Sequence, residues 1–164
     1  MARAGFYAVE SGKISFRRDG NWYVNDERID NQRIALLFSR SIQRAPDGHY
    51  FLQVGDEHAS ISVEDTPYAV KSIQGDARQG FSVVLNDESV EPLDPESLTI
   101  GADNVLYCKV KQGKFRARFL RPAYYHLSDC VQADERGGFF FVMAGKRYPL
   151  AQGAGSASSV ADAS

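Results

Sequence analysis

Asp47-Gly48-His49-Tyr50-Phe51-Leu52 and Gly137-Gly138-Phe139-Phe140-Phe141-Val142 carry the same order: a glycine turn running into an aromatic strand. Working outward, each follows an apolar amphipathic stretch, Ile29 to Ile42 in one case and Leu120 to Val131 in the other. Each also leads to a further turn, at Gly55-Asp56 and at Gly145-Lys146. Before each amphipathic stretch stands another glycine turn, Asp19-Gly20-Asn21-Trp22-Tyr23-Val24 and Gln112-Gly113-Lys114-Phe115-Arg116-Ala117. The offset between the copies is 93 residues at the first turn and 90 at the last two. One supersecondary unit, hairpin–helix–hairpin, is therefore expected twice in the chain.

Local chemistry supports each part of the unit. Ile14, Phe16 and Arg18 alternate with their neighbours as a half-buried strand does, and Asp19-Gly20 is a hairpin turn signal. Asp30 is placed to cap a helix, with Ile29 and Ile34 at staple spacing. Ile34, Leu37, Phe38 and Ile42 then form one apolar stripe. In the second copy Pro122 suits the start of a helix, and Tyr124, Leu127 and Val131 give the stripe. Phe139 to Met143 is apolar on both faces and reads as a central, buried strand. The expected fold class is α+β: two repeated hairpin–helix–hairpin units with antiparallel sheets, one helix packed on each. The expected organisation is an N-terminal repeat over 1–74, an acidic connection with short strands over 75–104, a C-terminal repeat over 105–150 and a disordered tail over 151–164.

At 164 residues with 43% hydrophobic and 24% charged side chains, the chain has ordinary globular composition. No apolar run reaches the ~20 residues that span a bilayer. The first residues, Met1-Ala2-Arg3-Ala4-Gly5-Phe6-Tyr7, lack a secretory apolar core. Cys108 and Cys130 are then expected as free thiols, and the expected location is cytoplasmic. The formal charge of −2 hides an asymmetry. Residues 1–104 hold 10 Lys/Arg against 17 Asp/Glu, and residues 105–150 hold 9 against 3. Such opposition steers partners or lets one part of a molecule face another.

Several of these segments resemble an uncharacterised bacterial family, domain of unknown function 1285. The likeness runs through Asp19-Gly20-Asn21-Trp22-Tyr23, Ile34-Ala35-Leu36-Leu37-Phe38-Ser39, Gly48-His49-Tyr50-Phe51-Leu52, Ile61-Ser62-Val63-Glu64-Asp65-Thr66-Pro67-Tyr68 and Arg121-Pro122-Ala123-Tyr124-Tyr125-His126-Leu127. The family usually has Ala at the position of Thr66 and an apolar aromatic at that of Tyr68. The resemblance implies a repeated α+β fold and a role in signalling or ligand sensing. It brings no catalytic residues with it.

Nucleophile elbows, P-loops, dinucleotide fingerprints and zinc-protease motifs are absent from the sequence, so no reaction is specified. The leading expectation is a non-enzymatic ligand-sensing or regulatory module of signal transduction, without cofactor or metal. Its site would lie between the repeats, with Trp22, Glu64, Asp65, Arg121, Tyr124 and Tyr125 as lining residues. An alternative is a protein-interaction or assembly module that uses edge strands or a basic face. Lys109, Lys111, Lys114, Arg116, Arg118 and Arg121 form a run with no acid among them, and period-two geometry pairs Lys109 with Lys111 and Arg116 with Arg118. Such a ladder suits a small anionic ligand or an acidic protein partner. A pI near 5.9 argues against a dedicated nucleic-acid binder. A third reading is an enzyme using His126 and Cys130, spaced i, i+4. Composition leaves the oligomeric state open.

Overall fold

The structure, a computed structural model, describes residues 13–152. Residues 1–7, read above for a secretory apolar core, and most of the expected tail over 151–164 lie outside the described residues. By its contacts the chain divides into two compact units, Met1–Pro67 and Tyr68–Ser164.

The first unit runs β1 (Ile14–Phe16), β2 (Trp22–Val24), β3 (Glu27–Arg28), α1 (Gln32–Arg40), β4 (Ile42–Arg44), β5 (Tyr50–Val54) and β6 (Glu57–Val63). Its strands make one six-stranded sheet in the order β3-β2-β1-β6-β5-β4. The pairs are antiparallel except β1 with β6, where Ile14 lies beside Ile61 and Phe16 beside Val63 in parallel. The core is Ile14, Phe16, Trp22, Phe38, Ile42 and Leu52, all buried. The Trp22 ring stands 4.9 Å from Phe16 and 5.5 Å, edge-on, from Phe38. Its indole N–H donates to Ser39 Oγ at 2.8 Å, so the largest core side chain leaves no polar atom unmade. Asn31, not Asp30, caps α1: its side chain accepts from Arg33 N and Ile34 N. Asp30 instead pairs with Arg28 at 3.1 Å.

The second unit contains β7 (Tyr68–Asp76), β8 (Gly80–Leu85), β9 (Val90–Pro92), β10 (Thr99–Ile100), β11 (Leu106–Val110), β12 (Phe115–Phe119), α2 (Arg121–Ser128), β13 (Val131–Ala133), β14 (Phe139–Met143) and β15 (Lys146–Gln152). Short 3-10 turns occupy Pro95–Ser97, capped by Asp94, and Ala102–Asn104. The sheet order is β13-β14-β15-β10-β11-β12-β7-β8-β9. Residues 75–104, expected as an acidic connection with short strands, supply β8, β9 and β10 to the sheet. The sheet curls: Ala144 N–H donates to Ala77 C=O, and Lys111 N–H reaches the Glu91 carboxylate. Val70, Phe81, Leu85, Leu106, Val110, Phe119, Leu127 and Phe141 belong to one buried cluster inside the curl.

The duplication is present, in a different register. From α1 onward the copies correspond at a constant offset of 89. Ser41 N–H to Phe38 C=O matches Cys130 N–H to Leu127 C=O, and Gln53 N–H to Ser41 C=O matches Val142 N–H to Cys130 C=O. Ala45 with His49 matches Asp134 with Gly138 in the same way. The order β3-β2-β1-β6-β5-β4 recurs as β12-β11-β10-β15-β14-β13, including the parallel central pair β10 with β15. The Gly113 turn therefore corresponds to the Asn25-Asp26 turn between β2 and β3, and not to Gly20. The counterpart of the Gly20 turn is the Ala102–Asn104 segment. In the second unit β12 is continued by β7, which pairs with it in parallel, and then by β8 and β9.

The fold class expected from the sequence is corrected by this architecture. Strands hold 49% of the described residues and helices 16%, so the chain is mostly β, with two large mixed sheets. The sheets are not antiparallel, because each repeat brings its last strand back beside its first. A hairpin cannot do that; a long crossover containing the helix can. Among the described residues no helix is long and apolar enough to cross a membrane.

Candidate functional site

Of the six residues expected around one site, three fall in each unit. In the first, Trp22 is a core side chain, 1% exposed. Glu64 is exposed; its Oε1 accepts the Arg18 backbone N–H at 2.8 Å and its Oε2 lies 3.4 Å from Arg18 Nε. Asp65 is half-buried in the bend after β6. In the second, Arg121 is the exposed first residue of α2, Tyr124 packs on the core cluster, and Tyr125 is 64% exposed. The two tyrosine rings meet edge-on at 5.9 Å.

His126 and Cys130 do not share a helical face, because α2 ends at Ser128 with Asp129 as its cap. The His126 ring stands edge-on to Phe81 at 6.0 Å. Cys130 is part-buried against the core; burial, aided by Asp129, raises its thiol pKa. Cys108 is fully buried, and burial pushes its thiol up much further. Neither environment favours a thiolate. Among the described residues no three His, Cys, Asp or Glu side chains stand together as a metal site.

The basic hairpin is divided by its own geometry. Strand alternation buries Cys108, Val110, Ala117 and Phe119 on one face and sets Tyr107, Lys109, Arg116 and Arg118 on the other. Lys109 lies directly across from Arg116, and Tyr107 across from Arg118. The Arg116 guanidinium lies 4.6 Å over the Tyr107 ring, a cation–π stack. Lys109 is exposed, whereas Arg116 is part-buried. Neither forms an ion pair among the described residues, and the buried Arg116 Nη1 has no hydrogen-bond acceptor. A buried donor left unmade costs about 1–3 kcal/mol.

Lys111 does not join that face. It leaves the strand at φ 55°, in the left-handed region. Its N–H donates to Glu91 at 3.1 Å, and its ammonium donates to Asp87 Oδ2 at 2.7 Å and Ser89 Oγ at 2.9 Å. The ammonium also lies 5.3 Å from the centre of the Tyr68 ring. Burial works against the Asp87 carboxylate. Hydrogen bonds from Lys111 and Ser89 outweigh it, so Asp87 titrates below the ordinary range. Burial, then the charges of Asp87 and Glu91, raise the Tyr68 hydroxyl to about 12. The charge asymmetry of the sequence is thus partly settled inside the second unit, where acids of 75–104 meet the basic hairpin. Tyr107, Asp87 and Glu91 were not singled out from the sequence. Tyr107 had one signal, its i, i+2 spacing from Lys109 on a strand; the two acids, distant in sequence, had none.

Residues 8–66 match the N-terminal domain of a domain of unknown function, DUF1285. A DUF1285 family protein from Silicibacter pomeroyi DSS-3 shares the fold with a TM-score of 0.66 at 18% identity, over 91% of this chain and 82% of that one. One from Shewanella baltica OS155 shares it with a TM-score of 0.56 at 19% identity, over 73% of this chain and 93% of that one. No curated protein matches the chain. Residues 8–66 of the chain thus match the N-terminal domain of the DUF1285 family, and the fold of the chain is shared with two proteins of that family.

Proposed function

We propose that the chain is a non-catalytic regulatory module of the cytoplasm, and that it senses a small anionic ligand on the outer face of the β11–β12 hairpin. The observation that carries this reading is Arg116. Its guanidinium is stacked on Tyr107, faces no acid among the described residues and keeps a buried Nη1 donor without an acceptor. Lys109, directly across the strand pair, supplies a second positive charge with no counter-ion among the described residues. An anion at this place would balance the part-exposed Arg116 and the exposed Lys109 together.

A thermal-shift screen of the full chain against carboxylates, phosphate esters and neutral metabolites tests the reading. Anions are expected to raise the melting temperature, neutral compounds are not, and Arg116→Gln is expected to remove the rise. A rise of equal size in Arg116→Gln and the wild-type chain would place the ligand elsewhere.

A further inference from the structure

We infer that the anion recognised on the β11–β12 face is a phosphate monoester, and not a carboxylate; this rests on the reading just given. The donors set the class. A guanidinium set over an aromatic ring offers its N–H groups in one plane. The Arg116 guanidinium carbon stands 4.6 Å from the centre of the Tyr107 ring, and the side chain is part-exposed. A carboxylate that takes two of those N–H groups has only the remaining lone pairs of the same two oxygens to offer a second cation. Lys109 stands across the strand pair from Arg116, and side chains at directly opposed strand positions are about 5 Å apart at Cβ. Its flexible stem lets the ammonium reach toward the Arg116 guanidinium. A tetrahedral phosphoryl group has three terminal oxygens, so two can meet the guanidinium edge while the third faces the ammonium.

Charge leads to the same class. A monoester carries two negative charges above its second pKa of about 6. Arg116 and Lys109 bring two positive charges, and no acid of β11 or β12 stands among them. A single carboxylate would leave one of the two uncompensated. Thr99, across from Tyr107 on β10 and part-exposed, adds a hydroxyl on the side of the hairpin away from Arg118.

Isothermal titration of the full chain with methyl phosphate and with acetate, at matched ionic strength, decides the matter. Methyl phosphate is expected to bind at least tenfold tighter than acetate at pH 7.5, and to weaken severalfold at pH 5, where the ester is a monoanion. Arg116→Lys keeps the charge but loses the planar fork, and is expected to weaken methyl phosphate at least tenfold. Lys109→Ala alters an exposed side chain, leaves the fold intact, and is expected to weaken methyl phosphate more than acetate. Acetate binding as tightly as methyl phosphate, with both lost in Arg116→Lys, would overturn the phosphate class and leave the anion site standing. Binding of neither probe, or of both undiminished in Arg116→Lys and Lys109→Ala, would overturn the class and the site together.

Discussion

Replacing Lys111 by Met tests whether the contact between the β11–β12 turn and the β8–β9 turn holds the second unit together. The substitution keeps the length of the stem and removes the ammonium. Its partner, Asp87, has a side chain only 8% exposed, while that of Lys111 is 28% exposed. Removing one member of a fully buried pair costs roughly 3–5 kcal/mol. Because Lys111 is part-exposed, the loss expected here is nearer 2–3 kcal/mol at pH 7. Asp87→Asn removes the charge but keeps the shape, so the double variant is expected to be more stable than the sum of the single losses predicts. The pH dependence has a definite sign. A carboxyl depressed in the folded state contributes stability above its unfolded pKa, near 3.9, and that contribution is lost as pH falls through the folded value. The difference between Lys111→Met and wild type is therefore largest near neutrality and shrinks below about pH 4. Urea denaturation of the four variants of the cycle at pH 7 and at pH 3 measures it. A Lys111→Met loss below about 0.5 kcal/mol, or a loss of the same size at both pH values, would refute the reasoning.

Two further outcomes are expected. Gly75 has φ +96°, and a Cβ there would meet the Gly80 carbonyl oxygen at 2.3 Å, whereas Gly113 has φ +79° with open space around it. Thermal unfolding should therefore show Gly113→Ala losing only the ~1–2 kcal/mol of left-handed backbone, and Gly75→Ala clearly more. Thiol labelling at pH 7 should find Cys130 slow and Cys108 reactive only on unfolding, since burial leads the causes that raise both thiols; one fast thiol in the native chain would contradict this.

The parts of the fold that were legible in the sequence are those where a turn signal and a strand signal coincide. In sequence the turn at Gly48 matches the Gly137-Gly138 turn, one residue out of register, because the residues after them, Tyr50 to Val54 and Phe139 to Met143, are long enough to show their pattern. The register failed where the signals are short. The β2–β3 turn has Asn25 at φ 52° and Asp26 at φ 69°, a mirror-image hairpin turn made without glycine. It joins strands of three and two residues, too brief for any period to register. The Gly20 turn then took its place in the comparison. The helical stripe was followed through Ile42 because that residue is buried too, although it already belongs to β4. Parallel pairing has no local signature at all, since Ile14 and Ile61 meet across the whole repeat. For the candidate site, strand alternation pointed to Arg116 and Lys109. It wrongly kept Lys111 with them, because the left-handed turn that swings Lys111 toward Asp87 begins one residue after the last regular position of β11.

The parallel seal in each repeat bears on how the chain is made. On the ribosome Ile14 waits for Ile61, and Thr99 waits for Ala151, before either strand acquires its parallel neighbour. Tyr68 likewise emerges well before Ala117, the residue it will lie beside. Neither sheet can grow by adding one hairpin after another. Each nascent unit must keep one strand edge unpaired until its end is synthesised, and long-range pairing of this kind slows folding. The brevity of β1 and β10, three residues and two, limits what such a waiting edge can attract.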